Sequence, residues 1–144
     1  MNDIKKVLIA IDNEPTSEKV ALYGFQLGFR LNCEIALISV VDTTMLVTES
    51  TLTPMEFVQI IKNDCKKNQQ LLIDNVFKDY KVWSFIKKGK PYEVILDVAK
   101  EWDADVIVIG THGRTGILRL LLGSVAENVL RHSEKPVFII PTKS

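Results

Sequence analysis

Between positions 110 and 124 the chain reads Gly110, Thr111, His112, Gly113, Arg114, Thr115, Gly116, then Ile117 to Leu122, then Gly123 and Ser124. Four of its seven glycines fall within these fifteen residues. Glycine reaches positive φ and lets the backbone approach a ligand with no Cβ in the way, so successive N–H groups can converge on an anion. Gly123 and Ser124 open a helical pattern whose first N–H groups are unpaired and lie at the positive end of the helix dipole, and the serine hydroxyl adds one more donor. Such a set of donors suits a phosphate chain. His112 and Arg114 lie beside it and could add charge or hydrogen bonds, although each reads equally well as a solvated loop residue. A single glycine would be read as an ordinary turn; it is the concentration of four that favours an anion site.

Elements must bring that loop to a ligand. Short apolar runs rich in β-branched residues alternate with stretches of helical period, the pattern of a parallel sheet covered on both faces. Strands are expected at Val7 to Ile11, Glu34 to Val41, Lys81 to Ile86, Asp105 to Ile109 and Val137 to Ile140. The third has the weakest pattern and belongs at an edge, whereas the fourth is the most apolar and belongs inside. A first helix is expected after a Pro15, Thr16, Ser17 cap, with Val20, Gly24, Leu27 and Leu31 on one stripe and Ala21, Gly24 and Gly28 beside it. A second begins near Pro54 and turns Val58, Ile61, Cys65, Leu72 and Val76 inward, with Lys66 to Gln70 as its solvated face. Pro91 opens a third, carrying Val94, Ile95, Val98, Ala99 and Trp102, and Ser124 to His132 forms a fourth. Thr43 to Pro54 reads as a long loop.

Right-handed crossovers wind these elements most simply into a five-stranded parallel sheet of order 3-2-1-4-5 with helices on both faces, a Rossmann-like α/β fold. The order reverses between the first and fourth strands, and ligands of such sheets bind beyond the carboxyl ends at that point. Those ends are Asp12 and Gly110. Asp12 could accept from ribose hydroxyls across the crevice from the glycine loop.

Composition narrows the alternatives. A chain of 144 residues, 47% hydrophobic and 25% charged, fits one globular domain over residues 1–144. Eighteen basic residues balance eighteen acidic ones, so there is no basic field for generic nucleic-acid or anionic-membrane binding. Cys33 and Cys65 have no CxxC partner, and with only two histidines the usual zinc spacings are out of reach. Both cysteines are expected to be small buried hydrophobes in a reducing compartment. With no signal-peptide plan at the start and no apolar run near 18 residues, a cytoplasmic location is expected.

Gly110, two residues, Gly113, nine residues, then Gly123 and Ser124 resemble the ATP-binding signature of the universal stress protein family. The string Gly123, Ser124, Val125, Ala126, Glu127, Asn128, Val129 is similar to that family too. So, in order, are Lys6 to Asp12, Ser39 to Asp42, Gly89 to Ala99, Asp103 to Gly113 and Lys135 to Pro141. The resemblance implies ATP across the carboxyl edge of the sheet and a homodimer formed through the last strand, Val137 to Ile140. It implies Ala10, Ile11, Asp12 and Val40 at the adenosine end, with Asp12 at the ribose and Val40 near the base. Ile109, Gly110, His112, Gly113, Arg114, Gly123, Ser124 and Val125 would surround the ribose and phosphates. After Asp12 the chain runs Asn13, Glu14, Pro15, Thr16, Ser17, a turn one residue longer than the family pattern.

The leading reading is an ATP-binding regulatory module in stress response, with an unidentified protein partner. An AMP- or ADP-sensing protein and a slow ATPase on the same site are the alternatives. The loop holds no carboxylate to act as base or hold a metal, so Mg²⁺ or Mn²⁺ would lean on the phosphates and water, and turnover should be weak. A phosphoacceptor receiver would need an Asp after the third strand and a Lys after the fifth, but those strands end in Lys87, Lys88, Gly89 and in Pro141. A glycine fingerprint after the first strand and a P-loop are both missing.

Overall fold

The computed structural model describes residues 3–45, 52–111 and 122–142. In chain order these form β1 (Lys6–Ala10), α1 (Ser17–Arg30), β2 (Glu34–Asp42), a 3₁₀ turn (Thr43–Met45), α2 (Pro54–Leu72) and a π turn (Ile73–Phe77). Then come β3 (Val82–Gly89), α3 (Pro91–Trp102), β4 (Val106–Gly110), α4 (Ser124–His132) and β5 (Val137–Ile140). The strands make one parallel sheet in the order β3-β2-β1-β4-β5, as the crossover argument requires.

Alternation along the three inner strands divides the core into two layers. Val7, Ile9, Ile35, Leu37, Val106 and Val108 face α1, the end of α2 and the π turn, where Val20, Ala21, Leu72, Val76 and Phe77 cover them. Leu8, Ala10, Ala36, Ile38, Ile107 and Ile109 face α3 and α4, under Ile95, Val98, Ala99, Ala126 and Val129. Both faces are therefore buried, which is why these strands read as unbroken apolar runs. Beyond them the edges differ. β3 ends in exposed Lys87 and Lys88, whereas β5 leaves Phe138 45% exposed.

Local chemistry sets the helix starts. Thr53 caps α2 from extended backbone, accepting from Glu56 N–H at 3.1 Å and donating its hydroxyl to the Glu56 carboxylate at 3.0 Å, with Pro54 following. The expected cap on α1 is different from that anticipated. Thr16 is already helical and makes no side-chain cap bond. The Asp12 carboxylate instead holds the turn by accepting from Glu14 N–H at 3.0 Å, and the Glu14 carbonyl takes the Ser17 N–H at 2.9 Å.

The second correction concerns the Lys66 to Gln70 block. Its lysines and Gln70 are exposed, but Gln69 is 2% exposed and donates its amide to Ser39 Oγ at 2.9 Å and to the Phe85 carbonyl at 3.1 Å. It lies four residues after buried Cys65, so helical spacing carries it to the inner face.

Small residues let α1 lie close to the sheet. A Cβ built on Gly24 would stand 2.5 Å from Ile9 Cδ1, and one on Gly28 would stand 2.6 Å from Ile35 Cδ1. Both isoleucines are fully buried, so neither can swing aside into solvent. Gly24→Val should therefore lower stability by about 1–3 kcal/mol through overpacking, read as a melting temperature several degrees below wild type. An unchanged melting temperature would show that the helix and sheet are not in tight register.

Candidate functional site

At the reversal of strand order, the carboxyl ends of β1 and β4 diverge and α4 begins beside them. Ala10 and Ile109 are each 6% exposed and belong to the layer that faces α3 and α4. Val40, Leu122 and Val125 pack against the same layer while keeping part of their surface open. Four of the residues singled out from the sequence, Ala10, Val40, Ile109 and Val125, are thus brought to one apolar face at the carboxyl edge. Ile11 goes to the opposite layer, and its N–H is used in a 3.1 Å bond to the Ile38 carbonyl.

Asp12 closes β1 with its carboxylate on Glu14 N–H. Its carbonyl accepts from the Asn68 side chain at 2.8 Å, and the next residue, Asn13, directs its amide at Cys65 Sγ, 3.4 Å away. The turn after β1 is thereby fastened to α2. Asn68, Cys65 and Gln69 form a stripe that the sequence reading treated as packing or as solvated surface. The polar members hide in a block of hydrophilic residues, and only the i, i+3, i+4 spacing from Cys65 marks them.

The two described glycines of the loop do not use positive φ. Gly110 is needed for room: a Cβ there would stand 2.7 Å from Thr142 Cγ2 and 2.9 Å from Val20 Cγ2. Gly123 is extended, at φ −70° and ψ 164°, and donates its N–H to the Thr111 carbonyl. Among the described residues no partner takes the N–H groups of Ser124, Val125 or Ala126, so the start of α4 presents three donors at the positive end of its dipole. Ser124 itself is exposed. His112, Gly113 and Arg114 lie outside the described residues.

A hydrophobic wall, a carboxylate at the end of β1 and the donor end of a helix are the complementary parts of an apolar ring system joined to an anion. Among the described residues no three His, Cys, Asp or Glu side chains gather as metal ligands. Nor is any helix among them long and apolar enough to cross a membrane.

These features define an α/β protein of the doubly wound class with an anion-suited crevice at its switch point. The universal stress protein family model matches residues 3–141, and the chain belongs to that family. It is 29% identical to universal stress protein MJ0577 of Methanocaldococcus jannaschii, over 97% of this chain and 96% of that one. It is 30% identical to universal stress protein YxiE of Bacillus subtilis, over 94% and 97%. The fold is similar to that of UspA from Lactobacillus plantarum, with a TM-score of 0.85 at 20% identity, covering 97% and 99% of the two chains. A universal stress protein crystallised in complex with cAMP has a TM-score of 0.68 at 20% identity, covering 99% and 100%. One from Archaeoglobus fulgidus, in complex with dAMP, has a TM-score of 0.66 at 20% identity, covering 96% and 99%.

Both cysteines are 2% exposed, as expected of small buried hydrophobes. Burial pushes the Cys65 thiol above its usual 9.0, with the Asn13 hydrogen bond opposing and the Asp64 charge reinforcing the shift. Burial also raises Cys33, helped by the charge of Asp105. A raised folded-state value means the unfolded chain ionises first, so the thiols' contribution to stability is intact at neutral pH and is lost as pH rises past 9. At pH 8 an aromatic disulfide reagent should react with native protein far more slowly than with guanidinium-unfolded protein, as followed by absorbance. Native reaction at the unfolded rate would contradict this burial.

Proposed function

We propose that this chain binds ATP at the carboxyl edge of its sheet and serves as a nucleotide-dependent regulatory module of the cytoplasm, folded as one domain. The observation that carries the reading is the meeting of the Ala10, Val40, Ile109 and Val125 face with the free N–H groups of α4 across from Asp12. In this reading the base lies against Val40 and the ribose hydroxyls reach the Asp12 carboxylate. The phosphates run to Ser124, Val125 and the glycine loop with His112, Gly113 and Arg114. Family membership supports it, as does the dAMP or cAMP held by two proteins of the same fold. Mg²⁺ or Mn²⁺ would sit on the phosphates and water, because the loop contributes hydroxyls, carbonyls and cations and no carboxylate.

The same donor set binds a ground-state triphosphate without favouring its transition state, so ATP should be held better than it is cleaved. Calorimetric titration should detect ATP on wild type and a large loss on Gly113→Val, which places a β-branched side chain where the phosphates approach. A phosphate-release assay should give turnover well below the ~1 to 100 per second of kinases. Equal binding by a folded Gly113→Val protein would remove the loop from the site. Turnover of several per second, abolished by His112→Ala, would make the protein an enzyme.

We also infer a homodimer through β5. Its outer edge carries Val137 to Ile140 without the lysines that guard β3. Phe138 and Ile140 line a groove of about 410 Å³ with Tyr23, Leu27 and Leu31 of the α1 side. An isologous pairing would cover both edge and groove. Sedimentation should show a dimer at tens of micromolar, an order-of-magnitude choice of concentration for a stable interface, and Phe138→Lys should give monomer. A monomeric wild type at that concentration would refute the pairing.

A further inference from the structure

The pairing of β4 with β5 ends at Gly110 opposite Ile140, yet the two segments stay together one step further. Thr111 donates its N–H to the Ile140 carbonyl at 2.9 Å. Thr142 donates its N–H to Thr111 Oγ1 at 3.0 Å, and the two hydroxyl oxygens lie 3.1 Å apart. Thr142 is 7% exposed, with its methyl in the space that the missing Cβ of Gly110 leaves. On its other side Thr111 offers its carbonyl to the Gly123 N–H, the residue that caps α4. One residue therefore joins the segment after β5 to the start of the helix whose free N–H groups face the crevice.

We propose that Thr142 is a positioning residue for the anion-binding end of α4, acting through Thr111. The inference rests on the ATP reading above. Gly110 and Thr111 leave β4 as the chain departs toward the loop, and Gly123 marks its return, so the Thr111 carbonyl fixes the distance between departure and return. With the Thr142 hydroxyl in place, Thr111 is held by its N–H, its side chain and its carbonyl at once, and the three donors of α4 are held with it. Without that hydroxyl, the Thr111 side chain loses a buried partner and α4 gains freedom to tilt away from the phosphates. Donors fixed in advance lose little freedom on binding, which is where the affinity for the charged end arises. The apolar wall of Ala10, Val40 and Ile109 belongs to strands that the hydroxyl pair does not touch.

That separation gives a readout that general destabilisation would not reproduce. Thr142→Val keeps the shape and removes the hydroxyl, and it should weaken ATP about three- to tenfold, the range for one net neutral hydrogen bond. Adenosine, which has no phosphate, should change less than about twofold on the same scale, and Thr142→Ser should restore ATP binding. Calorimetry on the full chain, with melting temperatures alongside, reads all three. Should the valine variant fail to fold, Thr142→Ser against Thr142→Ala isolates the same hydroxyl. Where adenosine gives no heat, ATP loss in the valine variant with recovery in the serine variant supports the proposal. Unchanged ATP affinity, a parallel loss of both ligands, or no recovery with serine would overturn it while leaving the ATP reading intact. A wild type that binds neither ATP nor adenosine would overturn both.

Discussion

β1 must pair on both edges and be covered on both faces, and most of the architecture follows from meeting that demand. Lys6 to Ala10 pairs with Glu34 to Ile38 on one side, and Val7 to Ala10 pairs with Val106 to Ile109 on the other. A parallel neighbour is reached only by a crossover, and crossovers of one hand lay their helices on one face when the chain moves outward and on the other when it moves back. Hence α1 and α2 accompany the steps from β1 to β3, and α3 and α4 accompany the return through β4 to β5. The connections leaving β1 and β4 turn to opposite faces. A crevice at their carboxyl ends is the geometric remainder of closing the core everywhere else.

The two ends of the sheet are finished differently. At the amino end the Asp105 carboxylate takes the N–H groups of Lys5 and Lys6 at 2.8 and 2.9 Å, and the Asp105 N–H reaches the Lys6 carbonyl. Backbone is there satisfied by backbone and by one side chain, leaving nothing directed outward. At the carboxyl end the same needs are met by Asn68, Asn13 and the threonine pair, all side chains from elements other than the strands they serve. Loops held this way can differ between relatives without disturbing the ladder. The longer turn after Asp12 is accommodated so, with α2 supplying the extra hydrogen bonds.

The layers and strand order were legible because two-sided burial writes continuous apolar runs and helical stripes into the sequence. Helix α4 and strand β5 coincide with the expected Ser124 to His132 and Val137 to Ile140, where flanking Gly123, Pro136 and Pro141 punctuate the chain. β1 and β4 are each displaced by a single residue, since strand ends depend on the last ladder bond and not on hydrophobicity. Less legible was everything made by hydrogen bonds between distant residues. Gly110 reads as a residue chosen for backbone freedom, but its space is claimed by Thr142, which is 32 positions away and carries no signal of its own. Ile11 has the right place in the chain for the site and the wrong side of the strand, because period-two alternation assigns it to the other layer.

Gln69 shows what the carboxyl end costs. Its amide nitrogen serves Ser39 and the Phe85 carbonyl, an arrangement that a flipped amide would lose because two oxygens would then face each other. Its oxygen is left buried with no hydrogen-bond partner. An unsatisfied group of that kind costs about 1–3 kcal/mol, a large share of a typical folding free energy. An apolar residue of similar size would remove the orphaned oxygen, but it would strip the Phe85 carbonyl and Ser39 of their donor. Ser39 precedes Val40, so the polar bridge is anchored beside the wall proposed for the base, and it lies in the layer opposite that wall. The strand can thus be held by α2 from one face while its other face stays apolar, and it is this division of labour across a single strand that an all-hydrophobic core could not provide.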